Sequence, residues 1–190
     1  AAAPASGDKA ATPERRSGVP RPGSDPAKFG GLAKVNIATG EIQRIYEGRV
    51  PGVAATLATA GDVVFWGALD RKFRAFDAAT GKTLWQNGGA KIWDGAPMKF
   101  WPGEPFVKWD PGHPAFQKMA SYCTPVLATI HGRRHVLTVT RQGLISLDPA
   151  TGAHHFSFWF RSAREETVNA MTPVVKDDLI LLSSAYYRSG

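Results

Sequence analysis

Short runs of apolar or alternating residues, separated by Gly, Asp and Pro, recur along the chain from Gly30 onward. They are four to six residues long and rich in β-branched and aromatic side chains; they occupy residues 63–66, 73–77, 135–140, 144–148 and 179–182. Runs of this length and content are typical of β-strands. No segment has an apolar stripe at helical spacing, and the nearest helical candidate, 162–170, is short and polar. The pattern predicts an all-β domain.

A turn sequence of the form D/N-x-x-T-G occurs three times. Its copies are Asn36, Thr39 and Gly40, then Asp77, Thr80 and Gly81, then Asp148, Thr151 and Gly152. The first two threonines are 41 residues apart and the last two 71, which leaves room for an insertion at 87–119. An Asp or Asn side chain can accept hydrogen bonds from the backbone that follows it, and Gly tolerates positive φ. We therefore interpret these residues as turn-capping residues, with metal ligation by Asp77, Asp148 or Asn36 as the alternative.

Each repeat unit contains more than this turn. Thr-Pro-Val occurs at 124–126 and 172–174, with a weaker copy at 55–57, and each precedes a polar turn and an apolar strand. Four short antiparallel strands within about 40 residues predict a β-propeller blade. The blade pieces, all within a partial propeller at 29–190, are 30–47, 52–87, 120–160 and 172–190. They make about two complete and two partial blades, fewer than a closed ring needs, so the rest of the ring is expected from the same or another chain.

Composition narrows the possible functions. The chain has 190 residues, one cysteine and a formal charge of +7. One cysteine excludes a C-x-x-C-H haem attachment and a cysteine-rich zinc site. The basic residues are scattered without a nucleic-acid motif, so we expect no nucleic-acid partner, and no apolar run predicts a transmembrane segment. Residues 1–28 are rich in Pro and Ala and are expected to be flexible.

Several side chains are candidates for chemistry. Cys123 is interpreted as a buried inert thiol rather than a nucleophile, because no His or Asp stands beside it in a known motif. His131 and His135 could bind a metal, but they flank a predicted hairpin turn, and His154 and His155 should point to opposite faces of a strand. The insertion carries aromatic and acidic residues that either pack on a blade or face a ligand at the propeller axis; these are Trp93, Asp94, Phe100, Trp101, Glu104, Phe106, Trp109 and Asp110.

The second unit carries a family resemblance. Residues 58–67 and 73–85, with Asp70 between them, closely resemble a late blade of the pyrroloquinoline-quinone (PQQ) dependent alcohol dehydrogenases, and 94–100 resembles that family's next strand. Its D-x-x-T-G-x-x-x-W form is the family's tryptophan-docking repeat, in which a Trp packs between neighbouring blades. Trp85 fills the docking position here, whereas Phe156 and Arg44 occupy it in the other units. Residues 120–190 resemble the broader PQQ-repeat propellers.

The resemblance implies a function for the family. Its enzymes oxidise alcohol or sugar-type substrates: a calcium or lanthanide ion polarises the quinone, an Asp takes the hydroxyl proton, and hydride passes to PQQ. Electrons then leave to a separate acceptor, and the enzymes are periplasmic or otherwise exported. This chain lacks the family's adjacent-cysteine pair, and no stretch matches its catalytic-Asp motif or metal ligands. We therefore expect it to contribute propeller scaffold rather than the catalytic centre, and the catalytic and cofactor-binding residues remain unknown. The alternative is a non-enzymatic interaction scaffold of the outer-membrane assembly type.

Overall fold

The computed structural model describes residues 22–88, 92–93, 122–160 and 169–183. Within these ranges the backbone consists of β-strands and turns, with a short 3-10 turn at Pro26–Lys28 and 3-10 conformation at residues 92–93. The strands are β1 Gly30–Val35, β2 Ile42–Gly48, β3 Leu57–Ala58, β4 Val63–Gly67, β5 Phe73–Asp77, β6 Thr83–Asn87, β7 Val126–Ile130, β8 Arg133–Val139, β9 Gly143–Leu147, β10 His154–Trp159, β11 Val174–Lys176 and β12 Leu179–Leu181. The prediction of an all-β fold is confirmed.

The strands form two four-stranded antiparallel sheets and two hairpins. We call β1–β2 blade A, β3–β6 blade B, β7–β10 blade C and β11–β12 blade D. In blades B and C the four strands pair in sequence order, as in a propeller blade. Blades A and D contribute two strands each. The described chain is therefore a partial β-propeller with two complete and two partial blades, as the repeat pattern predicts.

The blades pack face to face, so their inner strands are buried on both sides. Successive side chains of a strand point to opposite faces. In β4, Val64 contacts the apolar cluster shared with blade A, whereas Phe65 contacts the cluster shared with blade C. In β8, Val136 faces blade B and Leu137 faces blade D in the same way. This double burial explains the nearly continuous apolar runs of these strands.

The outer strands of blades A, B and C pair irregularly with their neighbours. In β6 the register shifts so that Leu84 has no partner on β5, and in β10 His155 has no partner on β9. In β2 the unpaired residue is Ile45. A bulge of this kind re-aims the side chains around it. It therefore changes which residue of an outer strand faces the next blade.

Several predictions fall wholly or partly outside the described residues. These are the structure of 1–21, most of the insertion at 87–119, most of the helical candidate at 162–170, and residues 184–190. Within the segment predicted to be flexible, residues 26–28 form the 3-10 turn, which Asp25 caps. The Nζ atom of Lys28 lies 3.3 Å from Oε2 of Glu47 on β2. Among the described residues there is no helix long and apolar enough to cross a membrane.

Candidate functional site

The three D/N-x-x-T-G turns share one set of hydrogen bonds. In blade B, Asp77 Oδ1 accepts from the Thr80 amide and hydroxyl, both at 2.7 Å, and the Gly81 amide donates to the Asp77 carbonyl (2.9 Å). Gly81 has a φ of +76°, the left-handed conformation that glycine adopts without steric cost. Hydrogen bonds to the ionised form, above all from the Thr80 amide, hold the pKa of Asp77 below its usual value.

The other two turns repeat this geometry. Asp148 Oδ1 accepts from the amides of Ala150 and Thr151, both at 2.9 Å, and Gly152 has a φ of +72°. The Thr151 amide is the largest cause of the lowered pKa of Asp148. In blade A, Asn36 Oδ1 accepts from the Ala38 amide at 2.9 Å and from the Thr39 amide at 3.3 Å; Gly40 has a φ of +73°. The Oδ1 atom of each residue thus already accepts hydrogen bonds within its own turn.

Trp85, on outer strand β6 of blade B, lies against the turn of blade C. Its indole Nε1 donates to the Pro149 carbonyl (3.0 Å), and the nearby Asn87 side chain donates to the Gly152 carbonyl (2.8 Å). An ideal Cβ built on Gly152 would lie only 2.5 Å from Cε3 of Trp85. The Trp85 ring also contacts Phe65, with the ring centroids 5.8 Å apart. The glycine that permits the turn therefore also makes room for the indole.

At the junction of blades A and B, a side chain outside the predicted docking position covers the turn glycine of the next blade. Arg44, which the spacing puts at the docking position, is exposed and pairs with Glu47. Its neighbour Ile45, the bulged residue of β2, covers Gly81 instead: a Cβ on that glycine would lie 2.7 Å from Ile45 Cγ2. Lys34 adds hydrogen bonds from Nζ to the carbonyls of 78 and 79, at 3.2 and 3.1 Å. The bulge thus moves the docking contact by one residue.

A charged contact reinforces the same junction. The Arg74 side chain, in β5, is almost fully buried and forms an ion pair with Asp70. Its guanidinium carbon lies 5.3 Å from the centroid of the Tyr46 ring on β2, within the range of a cation–π contact. Tyr46 also packs edge-on against Trp66 of blade B. Arg74 therefore belongs to the contact between blades A and B.

Phe156, which the spacing puts at the docking position of blade C, is 36% exposed. Its ring lies 5.8 Å from that of His135 in its own blade, and no turn covers it among the described residues. Phe156 and Phe158 instead line an open apolar groove together with Leu179 and Leu181 of blade D. Trp85 thus contacts a neighbouring turn, whereas Phe156 contacts none within the described ranges.

The structure brings together two histidines that the sequence does not suggest as a pair. The Nδ1 atoms of His135 and His155 are 3.1 Å apart, and His135 Nδ1 is also 2.7 Å from Ser146 Oγ. His155 Nε2 lies 3.6 Å from Asp148 Oδ2, and the His155 side chain is only 3% exposed. Burial lowers the pKa of His155, as do Arg133 and His135, and the opposing effect of the Asp148 carboxylate is smaller.

Only one proton fits between two Nδ1 atoms at this distance. A neutral imidazole carries one N–H and one lone pair, so one ring can donate to the other. If both rings were charged, both nitrogens would carry hydrogens that point at each other. At this separation one imidazole of the pair can therefore donate its N–H to the other ring.

The other candidate side chains have separate surroundings. His131 is exposed at the β7–β8 turn, where its Nδ1 lies 3.2 Å from Asp178 Oδ2. His154 is exposed, whereas the neighbouring His155 side chain is buried. Cys123 is fully buried; its sulfur accepts from the Val139 amide (3.3 Å), and burial raises the pKa of the thiol to about 11. A thiol with that pKa is a poor nucleophile near neutral pH.

The described part of the insertion packs on blade C. Trp93 is buried, its Nε1 donates to Thr140 Oγ1 (3.2 Å), and its ring packs edge-on against Trp159 at 5.4 Å. The remaining insertion residues, from Asp94 to Asp110, lie outside the described residues. Within the ranges that the structure describes, no three His, Cys, Asp or Glu side chains are grouped so that they could hold a metal ion.

Comparisons with known proteins connect this arrangement to a family. The model of the "Glucose/ethanol/alcohol dehydrogenase, beta-propeller domain" matches residues 27–104, which include the docked Trp85. A 1-butanol dehydrogenase (quinone) from Thauera butanivorans is 58% identical over 40 residues, 21% of this chain and 6% of that protein. A quinoprotein ethanol dehydrogenase from Pseudomonas aeruginosa is 40% identical over 57 residues, 30% of this chain and 9% of that protein.

A solved structure matches more of the chain. BamB from Moraxella catarrhalis aligns with a TM-score of 0.54 and 19% identity, over 83% of this chain and 41% of that one. At that identity the likeness shows the fold alone. The matched segments span less than a tenth of each dehydrogenase, so they establish a local relationship rather than a shared activity. Sequence and fold together show that this chain resembles the PQQ-repeat β-propeller family.

Proposed function

We propose that this chain is a structural portion of a PQQ-dependent dehydrogenase that oxidises an alcohol or sugar-type substrate by hydride transfer to the quinone. The observation that carries the proposal is the second unit. The matched model of the dehydrogenase propeller domain, over residues 27–104, includes this unit, and its Trp85 docks on the next blade through both a ring contact and a hydrogen bond. We propose that Trp85 and the D/N-x-x-T-G turns are structural residues that hold the blades in register.

The proposal assigns no catalytic step to the described residues. A calcium or lanthanide ion beside PQQ needs several oxygen ligands, and the described residues do not fit this need. The Oδ1 atoms of Asp77 and Asp148 accept hydrogen bonds within their own turns, and Asp70 pairs with Arg74. We therefore propose that the quinone and metal ligands, like the general base, come from other parts of the assembly. By analogy with the family, that assembly is exported and passes electrons to a separate acceptor.

Activity of the native assembly tests this proposal. The protein is isolated from its source without denaturation, and oxidation of short-chain alcohols is followed with an artificial electron acceptor. The assay is run before and after addition of PQQ with calcium or lanthanum. We expect quinone-dependent oxidation, abolished by a chelator and restored by the metal. An assembly that oxidises no alcohol or sugar under any of these conditions would contradict the proposal and favour the non-enzymatic scaffold.

A further inference from the structure

Asn87, the last residue of β6, is followed by a residue that makes its side chain reactive. The sequence contains three asparagines, Asn36, Asn87 and Asn169, and only Asn87 precedes a glycine. Glycine has no Cβ, so the backbone after Asn87 can approach the Asn87 side chain more closely than it could beside any other residue. Asparagine is a chemically labile residue in proteins. Of the three, Asn87 is therefore the one most open to attack by the backbone nitrogen that follows it.

The side chain of Asn87 lies in the contact between blades B and C. Its Nδ2 atom donates to the Gly152 carbonyl at 2.8 Å, and the residue is half-buried. Trp85 stands two residues earlier on the same strand, so both side chains point to blade C. Asn87 pairs with Phe73 of β5, and Gly88 lies beyond that last pair. The strand pairing thus fixes the backbone of Asn87, and the next blade fixes its side chain.

We propose that Asn87 is a site of spontaneous deamidation, that its contact with Gly152 protects it while the blades are docked, and that its product breaks this contact. In the reaction the Gly88 nitrogen attacks Asn87 Cγ. The N–Cγ bond forms, the Cγ–Nδ2 bond breaks, and Nδ2 leaves as ammonia with the proton of the Gly88 nitrogen. Water then opens the cyclic imide at either carbonyl and gives aspartate or isoaspartate. The amide and water become an acid and ammonia, with no change in oxidation state.

The docked conformation opposes this ring closure. The imide forms only when Asn87 Cγ reaches the Gly88 nitrogen, so the side chain and the peptide after it must both be free to turn. Breaking the hydrogen bond to Gly152 leaves a carbonyl at the blade contact without this donor, which is unfavourable. The reaction should therefore proceed mainly from molecules in which the contact has opened locally.

The product does not restore the contact. An ionised carboxylate only accepts hydrogen bonds, so aspartate at this position would face the Gly152 carbonyl with no hydrogen between the two oxygens. In isoaspartate the main chain also runs through the former side-chain carbon, which lengthens the backbone at the end of β6. Each deamidation thus removes the interaction that slows it. The inference rests on the blade contact and does not depend on a bound quinone.

Peptide mapping by mass spectrometry tests the site and its protection. The 190-residue chain is incubated at physiological temperature and mildly alkaline pH, in buffer and in unfolding guanidinium chloride, and the acid form of each asparagine is followed over time. In the unfolded chain we expect Asn87 to react about tenfold faster than Asn36 and Asn169, because only Asn87 precedes glycine. In the folded chain Asn87 should react at least about tenfold more slowly than in the unfolded chain.

Two substitutions on the same strand test whether docking gives the protection. Trp85→Phe keeps an aromatic ring but loses the donor to the Pro149 carbonyl, so it should loosen the contact and speed the reaction of Asn87 about fivefold. Leu84→Ala changes an exposed neighbour and should leave the rate unchanged. Circular dichroism shows that both variants are folded under the conditions of the incubation.

A substitution that reproduces one product tests its effect on the fold. Asn87→Asp should lower the ratio of folded to unfolded protein about five- to thirtyfold in urea denaturation, because a donor is lost and two acceptors are opposed. The matched control is Gln86→Glu, which makes the same change from amide to acid at an exposed neighbour on β6. We expect this control to unfold at the urea concentration of the wild type.

Four results would overturn the inference. They are an unfolded chain in which Asn87 reacts no faster than the other asparagines, equal rates in the folded and unfolded chains, a rate that Trp85→Phe leaves unchanged, and an Asn87→Asp chain as stable as the wild type. Because no quinone enters these measurements, they fail or succeed independently of the proposed enzyme activity.

Discussion

Replacing Trp85 by Ala removes one of the contacts that join blades B and C. Burying a whole Trp side chain removes roughly 150–250 Å² from water, or about 4–6 kcal/mol at ~25 cal/mol per Å². Because Trp85 is only partly buried, burial of its side chain contributes about 2–3 kcal/mol to the free energy of unfolding. The hydrogen bond from its indole to the Pro149 carbonyl adds about 1 kcal/mol. We expect Trp85→Ala to lower the free energy of unfolding by about 3–4 kcal/mol and Tm by about 10 °C.

Two matched variants separate the parts of this effect. Trp85→Phe keeps an aromatic ring and loses the N–H donor, so it should cost about 1 kcal/mol. Leu84→Ala changes the exposed neighbour on the same strand and should cost less than about 0.5 kcal/mol. Urea denaturation followed by circular dichroism avoids the fluorescence change that loss of a Trp causes. If Trp85→Ala and Leu84→Ala unfold at the same urea concentration, Trp85 does not hold the blades together.

Gly152→Ala should lower the free energy of unfolding by about 1–3 kcal/mol, because the φ of Gly152 is positive and the new methyl group meets Trp85. The same substitution should lower it by less in the Trp85→Ala background, which a double-mutant cycle measures. Folding lowers the pKa of His155, so the folded state favours the neutral imidazole. The contribution of neutral His155 to the free energy of unfolding should be complete above about pH 6.5 and should fall as the pH drops below that value. His155→Gln should flatten this dependence in urea titrations from pH 8 to 5, while Gln at exposed His154 should not. With its pKa raised to about 11, Cys123 should react with a thiol reagent at pH 8 only after the chain unfolds, so rapid reaction of the native protein would contradict its burial.

The parts of the fold that sequence predicts well are those decided by local chemistry. The Asp77 and Asp148 turns form from hydrogen bonds within five residues, so their spacing in the sequence reports the structure directly. The strands follow from short apolar runs that two neighbouring blades bury. The repeat of turn and strand then gives the number of complete and partial blades without further information.

The contacts missed from the sequence depend on irregular pairing. A bulge in β2 puts Ile45, rather than Arg44, against the next turn, and counting residues from Gly40 cannot detect such a bulge. Another bulge, in β10, leaves His155 unpaired and close to His135, which lies 20 positions earlier in the chain. The sequence spacing instead makes His131 and His135 the candidate metal-binding pair. The structure gives those two residues different partners, Asp178 and Ser146.

We propose that these blades belong to a quinone-containing assembly. Quinone extracted from the natively isolated protein, metal measured on the same sample and the mass of the polypeptide together decide the question. We expect PQQ with a calcium or lanthanide ion in a fixed ratio to this chain. A natively isolated protein that contains neither, and takes up neither when PQQ and metal are added, would contradict it.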